Sequence, residues 1–304
     1  MQTPFITIVN MKKTLLLLGL LVGLVHLSQG QTDSLHNLQN YTPAVALKKG
    51  QFAYRFWNLL YTQKALYAND GVRFESSERI TYFTSQHHFS YGISKHLQLD
   101  TEIWLKSVRA DLPQNSPLQV YQFTGSDSIR TALTYAGAGV RWSPQPDKKR
   151  WSLVSKILIP LTPNLESIDI VQPFLAEDHF WWVNEIYFDQ VVADKLYTFL
   201  QAGVWWSLPK TSSEQNSILR LPFRGILSYF ASPVISANLQ AGFTFHQQWQ
   251  QPQRSGYWGD LGIGLRWQIV PGALELQADY QKYVLGKNQG AGETFNFGVR
   301  WIRF

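Results

Sequence analysis

The sequence predicts an all-β chain folded as a closed, antiparallel transmembrane β-barrel of about twelve strands, with ten or fourteen as the alternatives. Three observations predict it. Aromatic residues make up 14% of the 304 residues and charged residues only 16%, where about 25% charged is usual. Much of the folded surface is therefore not built to face water. Mean hydropathy is nevertheless −0.17, too polar for a bundle of apolar helices and in keeping with apolar positions diluted by alternation. Second, segments with one apolar and one polar parity recur along the chain, each close to the ~9–11 residues a tilted strand needs to cross a bilayer. Third, the connections between them alternate between short and long.

The amino terminus reads as an export signal. Met11-Lys12-Lys13 opens a basic stretch, Thr14 to Leu27 is a short apolar run, and Ser28-Gln29-Gly30 supplies small residues for cleavage before Gln31. The expected organisation is a signal peptide over 1–30 with its start at Met11, a periplasmic lead-in over 31–49, and the barrel over 50–304. Lys12 and Lys13 are the only charges in residues 1–30, so the 27 basic residues fall to 25 against 21 acidic ones in the processed chain. They are scattered rather than striped, which argues against a nucleic-acid partner. The absence of cysteine excludes disulfides and thiolate metal sites.

Twelve segments follow: Gly50–Tyr61, Arg79–Tyr91, Leu97–Val108, Thr131–Trp142, Arg150–Pro160, Phe180–Val191, Leu196–Ser207, Leu219–Phe230, Ile235–His246, Tyr257–Gln268, Ala273–Val284 and Glu293–Phe304. Connections after even-numbered segments are short, such as Gly92–His96 and Ala231–Val234. Those after odd-numbered segments are mostly long and polar: Thr62–Glu78, Arg109–Arg130, Leu161–His179, Leu208–Ser217 and Gln247–Gly256, with Leu285–Gly292 the shortest. Transmembrane barrels turn tightly on the periplasmic side and loop out on the other. Both termini then lie in the periplasm.

The faces are cleanest late in the chain. Ile235, Ala237, Leu239, Ala241, Phe243 and Phe245 oppose Ser236, Asn238, Gln240, Gly242, Thr244 and His246. Leu261, Ile263, Leu265 and Trp267 oppose Asp260, Gly262, Gly264 and Arg266. Parity alone does not say which face turns outward; a soluble sandwich would turn the apolar face in. The signal peptide, the aromatic load and the alternation of loop lengths decide for a membrane, and aromatics gather near segment ends. Tyr91, Trp142, Trp151, Tyr229 and Trp267 stand beside short turns, and Trp206 and Tyr280 towards long loops. Amphipathic rings favour that level of a bilayer. The last segment has Phe295, Phe297, Val299 and Trp301 on one parity, with Phe304 out of phase, so a bulge is expected at the end.

With the polar parity inward, the interior carries Asp100, Glu102, Glu185, Asp189, Asp260, Glu275 and Asp279 against Arg55, Lys106, Arg141, Lys156, Arg224, Arg266 and Arg300. A strongly selective ion pore would carry a ring of one sign. Balanced charge predicts ion pairs across the lumen. Tyr135, Trp181, Tyr187, Tyr197, Phe199 and Trp205 fall on the same parity and narrow the passage.

Residues that could carry chemistry are also present. His179 and His246 lie at outward segment ends and Ser255 in the loop after His246, which is the raw material of a lipid hydrolase. That spacing makes no triad, and the chain is expected not to be an enzyme. His87 and His88 put one ring on each face, which does not build a metal site. Glu177-Asp178-His179 reads as a solvated loop. No cofactor and no metal is expected.

The aromatic final strand resembles the ending of bacterial outer-membrane β-barrels, and the class resemblance covers Gly50–Phe304. Lys48-Lys49-Gly50-Gln51, Gly137-Ala138-Gly139-Val140-Arg141-Trp142 and Lys156-Ile157-Leu158-Ile159-Pro160-Leu161 resemble the small transporter-like barrels related to phenol meta-pathway and fatty-acid uptake proteins. The fatty-acid transporters of that group carry a longer amino-terminal plug and more strands. The resemblance implies a cell outer-membrane location, contact with outer-membrane lipids, insertion by barrel-assembly machinery through the last strand, and a small-molecule solute. The expected function is a porin-like channel or transporter passing a small amphipathic or polar molecule by diffusion, with Trp205 and the charges above as lining. A structural or interaction barrel with a closed lumen is one alternative, and an outer-membrane lipid hydrolase another.

Overall fold

The computed structural model describes residues 44–123, 128–145, 151–166, 173–209, 217–249 and 251–303. The predicted signal peptide, the lead-in up to residue 43 and Phe304 lie outside them. Twelve long strands follow one another: β1 (Phe52–Tyr67), β2 (Arg73–Gly92), β3 (Leu97–Asp111), β4 (Ile129–Trp142), β5 (Trp151–Pro160), β6 (His179–Ala193), β7 (Leu196–Pro209), β8 (Ile218–Phe230), β9 (Ile235–Gln248), β10 (Gly256–Val270), β11 (Leu274–Lys287) and, after a two-residue β12 (Gln289–Gly290), β13 (Glu293–Arg303). Each long strand pairs antiparallel with its neighbours, and β1 pairs with both β2 and β13, which closes the sheet. Closure removes the free edge and so satisfies every strand's backbone, the condition for crossing hydrocarbon.

The parities point as a bilayer requires. On β9 and β10, Leu239, Leu261 and Ile263 are 61%, 55% and 58% exposed, whereas Asn238 and Gln240 between them are 4% and 6%. A water-soluble sandwich would reverse these values. Tyr91, Trp142, Trp151, Tyr229 and Trp267 are all exposed at the short-turn end, forming an interfacial belt there. The turns at that end are held locally. Ser94 Oγ accepts from the backbone N–H groups of His96 and Leu97, and Ser232 Oγ does the same for Val234 and Ile235.

The first long connection is not a loop. β1 and β2 run on to Tyr67 and from Arg73, leaving a tight turn in which Ala68 N–H donates to Val72 O (2.9 Å) and Gly71 takes φ +83°. Only glycine adopts that backbone cheaply. After an irregularity between Gln63 and Ala65 the pairing resumes, with Ala65, Leu66 and Tyr67 opposite Glu75, Phe74 and Arg73. β12 extends it by pairing with Leu66 and Tyr67. β13 pairs with β1 regularly from Glu293 to Arg303, so the bulge expected at the chain's end is absent as far as Arg303.

The β3–β4 connection lies against the outside of the wall. Its 3-10 helix, Pro117–Gln122, starts with Ser116 Oγ accepting from Leu118 N–H and sets Val120 over Leu60 and Phe83, which are on the outward parity. Arg79 donates twice to Pro113 O (2.8 and 3.3 Å), and Ser107 Oγ donates to Val120 O. This strap explains why Leu60, Phe83 and Ser107 are buried on an otherwise exposed face.

Candidate functional site: the barrel lumen

Strands β4 to β7 carry apolar groups on both faces. Outside are Leu153, Ile157, Ile159, Trp182, Ile186 and Val204; inside are Tyr135, Leu158, Trp181 and Val183. The first set is exposed on the outer wall, the face that a transmembrane barrel turns to lipid. The second set needs a cover from within, and the β5–β6 connection supplies it. Leu165, Leu175 and Ala176 are fully buried against Val108, Tyr135, Leu158, Trp181, Val183 and Ile218. Burying each leucine is worth about 1.5–3 kcal/mol.

Polar contacts fix this plug. Arg130 donates to the carbonyls of Leu165 (3.1 Å) and Asn164, and Tyr135 OH donates to Glu177 O. Arg220 pairs with the Glu177 carboxylate and stacks 4.7 Å over the Trp181 ring. His179 Nδ1 meets Ser207 Oγ at 2.8 Å, and that oxygen also accepts from Ile218 N–H. Burial pushes the Glu177 carboxyl up, but Arg220 and Lys106 outweigh it and hold it at about 2. Glu166 goes the other way. Burial, with the nearby Glu177 and Asp178 charges, overcomes a bond from Asp178 N–H and raises it to about 7. The expected solvated loop at Glu177-Asp178-His179 is therefore corrected: the inner wall's exposed apolar side chains draw it into the barrel.

Residues 44–49, the described part of the lead-in, meet the same side from the other end. Ala44 is fully buried among Val154, Tyr187, Phe199 and Ile226, and Leu47 N–H donates to Gln98 Oε1 at 2.8 Å.

The remaining charges form short chains along the wall. Glu102 meets Lys156 Nζ (2.9 Å) and His88 Nδ1 (2.8 Å). Arg300 pairs with Glu275 (3.2 Å) and Arg224 with Asp260 (3.4 Å). Glu185 accepts from Tyr187 OH, Gln201 Nε2 (2.9 Å) and Trp205 Nε1 (3.1 Å). Asp279 accepts from Gln240 (2.7 Å) and Gln277 (2.8 Å), and Asp100 from Ser90 and Gln98 (2.7 Å). Arg141 donates to Ser152 (2.9 Å) and lies 4.8 Å over Tyr187, while Lys106 lies 6.0 Å from the Trp104 ring. Asp189 and Arg266 are buried. The ion pairs named here join strands one or two apart, so they do not bridge the lumen as the balanced charges implied. A carboxylate finds a partner on the next inward position of a neighbouring strand sooner than one across the barrel. Glycines make the room: a Cβ at Gly264 would overlap Asp279 and Asn238.

On the β1, β2, β10 and β11 side, at the long-loop end, a cavity of about 640 Å³ stays open. Tyr61, Tyr67, Tyr82, Trp258 and Tyr283 line it with Gln63 and Asn288. Arg55, on the inner face of β1, remains exposed.

Several of these residues escaped sequence reasoning. His88 and Arg220 share the parity of charges that were identified, so the alternation could have found both. Nothing in the sequence of the plug announces Glu177 or Glu166. The hydrolase raw material does not assemble. Ser255 Oγ is tied to Gln248 N–H (2.9 Å), and His246 faces Arg220 (3.3 Å) and Gln248 (3.0 Å). His179, Ser207 and Glu166 do come together, with 3.5 Å from His179 Nε2 to Glu166, but Ser207 is fully buried behind the plug. Among the described residues no group of three His, Cys, Asp or Glu side chains could hold a metal ion.

A closed barrel with a lipid-facing wall and a side-chain-lined interior defines the class: this is the fold of bacterial outer-membrane β-barrel proteins, and the apolar belt is the surface of a protein of that membrane. The fold is similar to that of an outer-membrane channel from Pseudomonas putida F1, with a TM-score of 0.64 and 12% identity over 86% of this chain and 98% of that one. It is also similar to the β domain of the Bordetella autotransporter BrkA, with a TM-score of 0.51 and 11% identity over 83% of this chain and 99% of that one. At such identities the likeness is one of fold alone. No protein-family model matches the sequence, and no curated protein sequence matches it at a significant level.

Proposed function

We propose that this protein is a passive outer-membrane channel for a small polar or amphipathic solute. Its passage runs down the β9–β1 side of a barrel whose other side is filled. The carrying observation is the asymmetry of the interior. Among the described residues, the buried apolar side chains of the β5–β6 connection and Ala44 of the lead-in pack against inner positions of β2 to β8. The inner faces of β9 to β13 and β1 keep amides, carboxylates and a solvent-reachable Arg55. A polar wall of this kind replaces a solute's hydration, and the narrowing beside the plug limits its size. Asp260, Arg224, Arg266, Glu275, Asp279 and Arg300 line this passage; Asp100, Glu102, Lys106, Arg141, Lys156, Glu185, Asp189 and Trp205 lie on or near the filled side, where they brace it.

Planar-bilayer recording on the purified, refolded protein tests this. Small, stable conductance steps are expected, together with liposome swelling in small solutes but not in large ones. Absence of both would favour the closed structural barrel.

A further inference from the structure

The cavity at the long-loop end has a distinctive chemistry. Among the side chains that line it, none is charged. Tyr61, Tyr82, Trp258 and Tyr283 are half-buried and Tyr67 is buried, so flat faces are held in place rather than waving in solvent. Tyr61 stands edge-on to Tyr283, with centroids 5.3 Å apart. Its hydroxyl is fixed on Gln63 Oε1 at 2.7 Å, and Tyr67 OH reaches Tyr283 O at 3.3 Å. The rings are thus pre-set, and binding would cost little ordering entropy.

Independent of the mouth, the wall below it continues with hydrogen-bonding groups that carry both donors and acceptors. Tyr283 sits opposite Asp260 in the strand register. Beneath them Gln281 Nε2 donates to Gln240 Oε1 (3.1 Å), and Gln240 Nε2 donates to both Asn238 and Asp279. Asn296 lies opposite Asp279 in the register with β13. This run of amides and carboxylates is polar along its whole length.

We infer that, in the channel proposed above and resting on that reading, the open side of the lumen binds a neutral polyhydroxylated ring, that is, a sugar or short uncharged oligosaccharide. A pyranose presents an apolar C–H face that packs on an aromatic ring and a rim of hydroxyls that both donate and accept. The mouth offers the rings, and the ladder below offers amides of both kinds. A purely aromatic solute would use the mouth but leave the ladder unmatched. An acidic sugar would find no cation among the side chains lining the mouth, and of the arginines below it Arg224 and Arg300 are already paired with Asp260 (3.4 Å) and Glu275 (3.2 Å).

The test uses the full processed chain refolded in detergent, with maltotriose, trigalacturonate and phenol as probes of the three chemistries. Binding is read by tryptophan fluorescence, and in bilayers by block of the ion current. Maltotriose is expected to bind saturably and block the current, with trigalacturonate and phenol weaker. Trp258→Ala should weaken maltotriose by about tenfold, the order expected for losing one stacked ring. Heat-modifiable gel migration checks folding; if Trp258→Ala fails it, Tyr61→Ala takes its place in both readouts. No saturable maltotriose binding, tighter binding of either other probe, or an unchanged affinity in the folded variant would overturn the assignment. The two readings fail separately. Conductance without sugar block leaves the channel and removes the sugar. Sugar binding in detergent without any conductance keeps the site and removes the channel.

Discussion

The two sides of this barrel's interior are built from one strand pattern and reach opposite ends. Inner positions of β4 to β7 hold Tyr135, Leu158, Trp181, Val183, Tyr187 and Phe199, and chain from elsewhere packs onto them. Inner positions of β9 to β13 hold Ser236, Asn238, Gln240, Asp279 and Asn296, and among them Gln240 donates to both Asn238 and Asp279 along the wall. Strands apolar on both faces need two covers. The bilayer is one, and the β5–β6 connection with Ala44 is the other. Strands apolar on one face need no apolar cover from within. Where the lumen wall is covered by chain is thus decided by where apolar residues are placed on the inward parity, not by strand number alone.

The strongest way to break this contrast is to spoil the plug's apolar contact. Leu175→Asp should cost the plug about 3 kcal/mol or more, since a buried leucine is lost and a charge put in its place. The expected outcome is a severalfold larger single-channel conductance and rapid proteolysis within 161–178, with the barrel's heat-modifiable migration kept.

Arg220→Ala is next. It leaves the Glu177 carboxylate in a half-closed site without its guanidinium, at a cost of about 2 kcal/mol, moderated because both groups retain some exposure. Conductance noise from an intermittently released plug is the expected signature, and Arg220→Lys should restore part of the quiet state.

A smaller effect follows from pH. Glu166 holds its proton up to about pH 7 in the folded loop, above its ordinary value of 4.5. The folded plug then binds more protons than the released one between these values, so its stability falls as pH rises through about 7. Glu177, held at about 2, contributes in the other sense: its pairing is present above about 4.5 and is lost as pH falls towards 2. Proteolysis of the loop should therefore be slowest between the two, and Glu166→Gln should flatten the rise on the alkaline side while leaving the acidic side in place.

The open side should behave differently. Arg55→Gln is expected to change stability by less than about 0.5 kcal/mol, as at an exposed position. Its effect should appear in the reversal potential under a salt gradient, shifted towards cations. A large loss of stability there would show the open side to be packed after all.

Much of this was legible in the residues. Alternation from Ile235 to Phe245 and from Leu261 to Trp267 marks strands of a transmembrane barrel, and the inward parity by itself picks out Glu102, Glu185, Asp260 and Asp279. His88 and Arg220 were readable by the same rule. The strap over Leu60 and Phe83 was not. Pro117–Gln122 has no period of its own, and its burial depends on a groove made by β1, β2 and β3 together. The same holds for Leu165, Leu175 and Glu177, whose partners come from strands far away in sequence.

The sequence by itself determined the barrel, its strand bounds to within a few residues at most strands, and which side chains share a face, because a period of two is a local property of a pleated chain. Only the tertiary structure decided which part of the lumen wall is covered by apolar chain. That depends on irregular segments finding apolar surface on distant strands. Hydrophobic burial is set by the area that happens to meet, and no local pattern records which surfaces will meet.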